Sequence, residues 1–181
     1  QFIYTKFSKD NLLGDKIINY FKENPENIYK LEGDSGDLNV KESIDMTIHD
    51  SSSGTISIFM SELQDVLNGY IKKYPWCNKY SAFGLVPFNI QYYPPGGGYK
   101  EWHCERGAYF SPIVERHLFF IFYCNSVNNG GETEFFHQDY KCRAEKNKFL
   151  LCPVDWTFTH RGIPSPTEDK YIVTGWYNFK I

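Results

Sequence analysis

Five histidines stand in the chain, at positions 49, 103, 117, 137 and 160. Two of them open a His-x-carboxylate pair, His103-Cys104-Glu105 and His137-Gln138-Asp139. Along an extended strand, residues i and i+2 project to the same side, so either pair can offer one imidazole and one carboxylate to a single cation. A second imidazole completes a facial 2-His-1-carboxylate triad, the donor set that holds non-haem Fe(II) and leaves positions open for further ligands. His160, at the end of the stretch 156–160 and followed by Arg161-Gly162, is the best third donor. His103 lies 57 residues upstream of it, room for about four or five strands with their turns, which is what a curling sheet needs to bring an early strand beside a late one. His137 lies only 23 upstream, a gap that a tight hairpin alone could close. The set His103, Glu105 and His160 is preferred on this ground, with His137 and Asp139 as the alternative pair. His117, beside Leu118, reads as a core or sheet-surface residue, and His49 and His137 as polar residues at strand ends.

The chain that must position these groups has 181 residues, of which 41% are hydrophobic; Phe, Tyr and Trp number 15, 14 and 4. That length argues for a single domain over 1–181, with a core whose bulk comes from rings. The formal net charge is −3, so no overall basic field points to nucleic acid or to an anionic membrane. A basic cluster at Lys141, Arg143, Lys146 and Lys148 is interrupted by Glu145 and reads as a solvated face. The longest unbroken apolar run, 118–124, is too short to span a bilayer. No signal peptide precedes Gln1, and the absent Met suggests a trimmed or processed start. A soluble, cytoplasmic protein is expected. Five cysteines, an odd set, include no Cys-x-x-Cys pair, which removes the zinc-ribbon and thioredoxin readings. Cys124 and Cys152 fall in apolar strands as small core residues, and a reducing compartment is expected.

Helical spacing occurs in the first half. Leu12/Leu13, Ile17 and Tyr20/Phe21 predict a helix ending before Asn24-Pro25. Leu63, Val66/Leu67, Tyr70/Ile71 and Tyr74 predict a second, with Ser61 as its cap and Pro75 beyond its end. Ile44, Met46 and Ile48 alternate with polar residues as a strand does, and Ser51-Ser52-Ser53-Gly54 follows as a loop. From about residue 83 the pattern turns to short aromatic or β-branched strands at 86–93, 116–124, 132–136, 148–152, 156–160 and 171–179, separated by Gly- and Pro-rich turns. The expected fold is mostly β with N-terminal helices (α+β): a helical support region over 1–80 and a cupin-like, double-sheet jelly roll over 83–181.

Four motifs in order resemble the prolyl-4-hydroxylase-like 2-oxoglutarate/Fe(II) oxygenases: Tyr92-Tyr93-Pro94-Pro95-Gly96-Gly97-Gly98-Tyr99, Trp102-His103-Cys104-Glu105, Gly130-Gly131-Glu132-Thr133-Glu134-Phe135, and His160-Arg161-Gly162 with Lys170 ten residues on. They cover about residues 86–179; the first 80 carry no signature. The resemblance implies a double-stranded β-helix, Fe(II) on His103, Glu105 and His160, 2-oxoglutarate as cosubstrate with O2, and ascorbate as an optional reductant. It gives Lys170 the role of pairing with the distal carboxylate of 2-oxoglutarate and Tyr93 that of hydrogen-bonding the same group. A buried dianion needs such a fixed cation and donor. Gln91 shares a strand face with Tyr93 and is expected to point the same way. The family's usual carboxylate is Asp. Glu105 adds one methylene, so either its strand stands farther from the metal or its side chain bends. An anionic oxygen is retained, unlike in the halogenases of the family, where Gly or Ala leaves room for chloride.

The implied reaction is hydroxylation of an unactivated C–H bond with release of succinate and CO2, first of all on a prolyl residue in a peptide or protein. The same chemistry on a free amino acid or other small acid is the alternative. Tyr99 and Trp102 precede the first histidine and could form a lip that stacks on a prolyl ring. Arg106 and Arg161 flank the ligands and could bind a substrate carboxylate. Trp176, on the strand face of Lys170, could wall the pocket. Two readings of other classes stand beside this one: a non-catalytic cupin-like metal- or ligand-binding domain, and a zinc hydrolase with water as fourth ligand.

Overall fold

A computed structural model of the chain describes residues 2–31, 39–49, 53–79, 81–107 and 111–180. In chain order the elements are β1 (Tyr4–Phe7), α1 (Leu13–Glu23), β2 (Ile28–Leu31), β3 (Lys41–Ile48), α2 (Gly54–Lys73), β4 (Phe83–Leu85), β5 (Phe88–Tyr93), β6 (Gly98–Tyr99), β7 (Arg116–Tyr123), β8 (Thr133–Phe135), β9 (Tyr140–Cys142), β10 (Lys148–Pro153), β11 (His160–Gly162) and β12 (Lys170–Phe179). Leu13, Ile17 and Phe21 recur every four residues and bury one stripe of α1. The helix stops before Asn24-Pro25 as the sequence predicts, since the residue ahead of a proline is pushed out of the helical region. The second helix begins earlier than predicted. Ile56 and Phe59 continue the buried stripe of Leu63, Val66, Leu67 and Tyr70 backwards, so α2 starts at Gly54 and Ser61 lies inside it. Ser53 takes the N-cap position; Ser51 and Ser52 of the predicted loop lie outside the described residues. None of the described helices is long and apolar enough to cross a membrane.

The strands form a nine-stranded antiparallel sheet ordered β1-β10-β7-β12-β5-β3-β2, with β4 on β12 and β6 on β3, and a three-stranded sheet ordered β11-β8-β9. The two sheets face each other as the walls of a double-stranded β-helix. Alternation along the central strands serves two cores. Phe120 and Phe122 of β7, Phe88 and Ile90 of β5, and Val173 and Tyr177 of β12 point to the helices, where the fully buried Phe59 packs against Phe88, Phe120, Phe122 and Phe149. Phe119, Ile121, Tyr123, Tyr93 and Ile172 point instead to the smaller sheet, with Phe135 and Phe158. Gly175 on β12 is required by this packing, since a Cβ there would sit 2.5 Å from the Cβ of Phe88. The first 80 residues are more than a helical support, because β1, β2 and β3 extend the large sheet on both sides.

Two local readings are corrected. Residues 156–160 are not a strand: Trp156–Phe158 form a 3-10 turn, and pairing begins at His160. Lys148 is buried on β10, ion-paired to Glu145 and near the ring of Tyr123, so it does not belong to a solvated basic face. Cys124 and Cys152 are fully buried, and all five cysteines are unpaired.

Asn147 ties the N-terminal segment to the sheets. It sits at φ 65°, donates its backbone N–H to the Tyr123 carbonyl at 2.8 Å and accepts from Ser8 N at 2.8 Å. Its side-chain oxygen accepts from Gly14 N at 2.7 Å, and its amide nitrogen donates to Asn11 O at 2.7 Å. Gly14 lies so close to this turn that a Cβ would fall 2.0 Å from the Cys124 carbonyl oxygen.

Candidate metal centre and pocket

His103 and Glu105 do not sit in a regular strand. The segment is anchored by backbone bonds instead: His103 and His160 form an isolated antiparallel bridge with reciprocal N–H to O bonds of 3.0 and 2.8 Å, and Glu105 N donates to Val154 O at 3.1 Å. This brings the donor atoms of His103, Glu105 and His160 within 4.8 Å of one another. The side chain of Glu105 spans the extra methylene: its Oε1 lies 3.5 Å from Nε2 of His103 and 3.3 Å from Nε2 of His160. His137 and Asp139, the alternative pair, are exposed and outside this group.

Each imidazole is oriented by its other nitrogen. Nδ1 of His103 meets the Glu101 carbonyl at 2.9 Å, and Nδ1 of His160 meets the Phe158 carbonyl at 2.9 Å. A carbonyl can only accept, so both Nδ1 atoms carry the proton and both Nε2 lone pairs face Glu105 Oε1. Three electron-rich atoms converging in this way need a cation between them, so the donor set fits a divalent metal of the facial-triad kind. Tyr99 stacks on His103 with centroids 3.8 Å apart, and Phe119 stacks on His160 at 5.0 Å. Burial pushes the Glu105 carboxyl upward; positive charge shared with the two imidazoles, whose place a bound cation takes, outweighs it and holds the carboxyl well below the usual range. Its other oxygen, Oε2, accepts from Trp176 Nε1 at 2.8 Å and lies 3.4 Å from Arg116 Nη1. Arg116 also donates to the Glu105 backbone carbonyl at 2.8 Å, and its guanidinium carbon lies over the Trp176 ring, 3.7 Å from the centroid.

The triad opens into a cavity of about 1020 Å³ whose lining includes Gln91, Tyr93, Tyr99, Arg106, Arg116, Thr133, Lys170 and Trp176. Lys170 is 7% exposed. Its ammonium lies 5.7 and 5.8 Å from the ring centroids of Tyr93 and Tyr123 and makes no hydrogen bond or ion pair among the described residues. Burial pushes its pKa down to about 8, against a partial upward pull from Glu132. An apolar-walled ammonium of this kind is a waiting counter-charge for an anion. Thr133 accepts from the Tyr123 hydroxyl at 2.7 Å and keeps its own proton to donate.

Tyr93 lines the cavity as expected and is held there by Gln91. Gln91 donates Nε2 to the fully buried Asp45 at 2.6 Å, and Lys41 Nζ lies 3.3 Å from the same oxygen. That bond turns the Gln91 carbonyl oxygen toward Tyr93, whose hydroxyl donates to it at 2.7 Å. The phenol oxygen keeps its lone pairs toward the cavity while its proton rests on Gln91.

The other predicted site residues divide. Trp176 and Tyr99 line the cavity, one bound to Glu105 and the other stacked on His103. Arg106 lines it too but is ion-paired to Asp155 and donates to Arg116 O at 3.1 Å. Trp102 and Arg161 lie outside it: Arg161 donates to Glu134 at 2.8 Å and covers Trp102 at 4.4 Å. Arg116, Thr133 and Asp45 escaped the sequence reading. Thr133 stood inside a quoted motif. Arg116 was hidden by a bulge, because the register between β7 and β12 shifts at Tyr177/Asn178. Strict alternation from Phe119 would aim His117 at the cavity; instead His117 bonds to the Cys77 carbonyl at 2.6 Å and Arg116 lines the cavity.

No curated protein sequence shows a significant match to the chain. Among solved structures, a viral collagen prolyl hydroxylase from Paramecium Bursaria Chlorella virus-1, in complex with 2OG, aligns with a TM-score of 0.74 at 16% identity over 98% of this chain and 96% of that one. A Pseudomonas putida prolyl-4-hydroxylase aligns at 0.77 and 11% identity, covering 98% and 92%. A Trichoplax adhaerens prolyl hydroxylase, in complex with a hypoxia inducible factor peptide fragment, aligns at 0.74 and 15%, covering 98% and 83%. At these identities the likeness is one of fold. The profile of the 2OG-Fe(II) oxygenase superfamily matches residues 88–178, just over half of the chain and the stretch that carries the triad and Lys170. The chain therefore belongs to the 2OG-Fe(II) oxygenase superfamily, the enzymes that work with Fe(II), 2-oxoglutarate and O2.

Proposed function

We propose that the protein hydroxylates a prolyl residue within a peptide or protein, releasing succinate and CO2. Nε2 of His103, Nε2 of His160 and Oε1 of Glu105 would hold Fe(II), which with 2-oxoglutarate and O2 supplies the power to oxidise an unactivated C–H bond. Lys170 and Thr133 would take the distal carboxylate of 2-oxoglutarate, one as a buried counter-charge and the other as a hydroxyl donor. Gln91 would act through Tyr93, fixing which way its proton points. Trp176 and Arg116 would hold Glu105 to one oxygen, keeping the carboxylate from taking a second coordination position.

The observation that carries the choice of substrate is the state of the two arginines once expected to receive a small acid. Arg106 is committed to Asp155 and Arg161 to Glu134, so neither offers a free fork for a substrate carboxylate. The exposed Trp102 immediately precedes the cavity-lining His103, which suits a segment of polypeptide better than an enclosed metabolite. The prolyl hydroxylases with the same fold add analogy to this argument.

The test is succinate release in air from the Fe(II)-loaded protein, comparing a blocked Ala-Pro-Ala peptide with free proline and other free amino acids. Mass spectrometry then looks for one added oxygen atom on the proline. Stimulation by the free amino acids alone would falsify the prolyl reading and leave the small-acid alternative.

A further inference from the structure

On β5, beside Gln91, one side chain of the cavity lining holds donors that neither the metal centre nor Lys170 engages. Asn89 is half-buried and faces the cavity. Its amide oxygen accepts from the Thr47 hydroxyl at 2.8 Å. That bond uses the only proton Thr47 has, so the Tyr29 hydroxyl, 2.7 Å from the same Thr47 oxygen, is the donor to it. The run from Tyr29 through Thr47 to Asn89 therefore has one direction, and it fixes which way the Asn89 amide is turned. The Nδ2 group, with two N–H donors, has no hydrogen bond among the described residues.

The register of the large sheet sets this amide toward the metal end of the cavity. Asn89 pairs with Thr174 of β12, and Tyr93, at the other end of β5, pairs with Lys170. Thr174 is two residues from Trp176, whose indole holds Glu105, and four from Lys170. With strands about 4.8 Å apart and a two-residue step of about 6.8 Å, the Cα atoms of Asn89 and Trp176 stand about 8 Å apart. Asn89 lies across β12 from Phe119, the ring that stacks on His160. An extended ligand covers that distance in two or three residues at about 3.8 Å each.

The surroundings select what the amide binds. Lys41, also on the cavity lining, holds its ammonium 3.3 Å from Oδ2 of Asp45, the oxygen that takes Gln91 Nε2. One positive and one negative charge cancel here, while an ammonium has three N–H groups, so Lys41 keeps donors to offer. The Gln91 oxygen between Lys41 and Asn89 is already taken by the Tyr93 hydroxyl. A group entering here meets N–H donors without net charge. The matching group is an uncharged acceptor, an amide carbonyl; a carboxylate would give up its hydration without finding an unpaired cation.

We propose that Asn89, with Lys41 beside it, forms a subsite for an amide carbonyl of the substrate a few residues at most from the carbon that reacts, and that Thr47 is a positioning residue that keeps the Asn89 amide turned to the cavity. This rests on the reading that the substrate is a prolyl peptide, and it gives these polar side chains the task of telling a polypeptide from a free acid.

The test uses the full chain loaded with Fe(II). Succinate release in air gives kcat and KM for blocked Ala-Pro-Ala, and anaerobic titration gives the Kd of 2-oxoglutarate. Native protein is compared with Asn89→Leu, which keeps the bulk and loses the donors, with Thr47→Val, which loses the hydroxyl, and with Thr47→Ser, which restores it. The expected result is a peptide KM about tenfold higher in Asn89→Leu, about threefold higher in Thr47→Val and native in Thr47→Ser, with kcat and the 2-oxoglutarate Kd within about twofold throughout. An unchanged peptide KM in Asn89→Leu overturns the subsite while the prolyl reading stands on the native protein's response to the tripeptide. A 2-oxoglutarate Kd that rises in step with the peptide KM overturns it too, since Asn89 would then shape the cavity rather than meet the substrate. Stronger stimulation by free proline than by the tripeptide, lost in Asn89→Leu, makes this a carboxylate site and overturns the uncharged class. Equal effects of Thr47→Ser and Thr47→Val overturn the role of Thr47. No stimulation by Ala-Pro-Ala in a native protein that still turns over 2-oxoglutarate alone overturns the prolyl reading, and the subsite with it.

Discussion

Trp176 donates its indole N–H to Glu105 Oε2 at 2.8 Å, and so decides which oxygen of that carboxylate is left facing the two imidazoles. Trp176→Phe keeps a ring in the wall but removes the donor. Hydrogen bonds of this kind to a ligand typically tune metal affinity by about 10–100-fold. Anaerobic Fe(II) titration of the variant is expected to show weakening at the low end of that range, because Arg116 still faces the same oxygen. Unchanged affinity would remove Trp176 from the metal site.

Glu105→Asp restores the carboxylate usual in the family but draws it back by about 1.5 Å, one carbon–carbon bond. The backbone at 105 is pinned to Val154 O at 3.1 Å and does not readily follow. The substitution is expected to weaken Fe(II) binding at least tenfold. His103→Ala and His160→Ala are expected to abolish both metal binding and succinate release.

Lys170→Ala is expected to raise the KM for 2-oxoglutarate by about two orders of magnitude while the metal still binds, since a buried carboxylate would lose its paired cation. Burial holds the free-state pKa of Lys170 at about 8, so the ammonium is lost as pH rises through that value. The cosubstrate Kd should be flat below pH 8 and rise above it, by up to about tenfold per unit. The same depressed pKa means that the unfolded chain binds more protons than the folded one between about pH 8 and the ordinary lysine value of 10.5, so Lys170 adds stability as pH climbs across that window. Titrations of the cosubstrate and urea melts at pH 7, 8 and 9 check both signs.

Phe59→Ala removes the ring on which Phe88, Phe120, Phe122 and Phe149 converge. A loss of about 3–5 kcal/mol is expected for a buried Phe truncated in a packed core, read as a lower urea midpoint. The triad lies on the far side of the sheet, so the metal affinity of the remaining folded protein should be unchanged.

How far the sequence speaks for this site depends on the physics that sets each part. The triad was legible because donor chemistry and sequence distance suffice to bring His103 and Glu105 to His160, and the structure groups those residues although 103–105 is not the strand assumed. Lys170 was legible only through the motif beside it. Arg116 was not, because alternation assumes an unbroken register and the bulge opposite Tyr177/Asn178 reverses it. Trp102 and Arg161 were expected at the pocket and lie outside the cavity lining, since adjacency to a ligand in sequence says nothing about which face a loop residue takes. The start of α2 was misplaced because Ser61 resembles a cap, whereas Ile56 and Phe59 extend the buried stripe past it. The commitment of the Tyr93 proton to Gln91 depends on a buried carboxylate 46 residues away from Gln91, a tertiary relation that no local pattern encodes.

The four hydrogen bonds centred on Asn147 bear on how the molecule melts. They join the start of α1 and the segment after β1 to the turn that leads from β9 into β10, and that turn to the end of β7, where the sheet that carries one core also carries the other. A helical layer that could peel away would leave Asn147 with an unpaired buried amide and the Gly14 amide without its acceptor. The layer and the barrel are thus bound into a single cooperative unit, and loss of the first should register at the second: in denaturant, helix content and the metal-dependent signal should vanish at one midpoint rather than two.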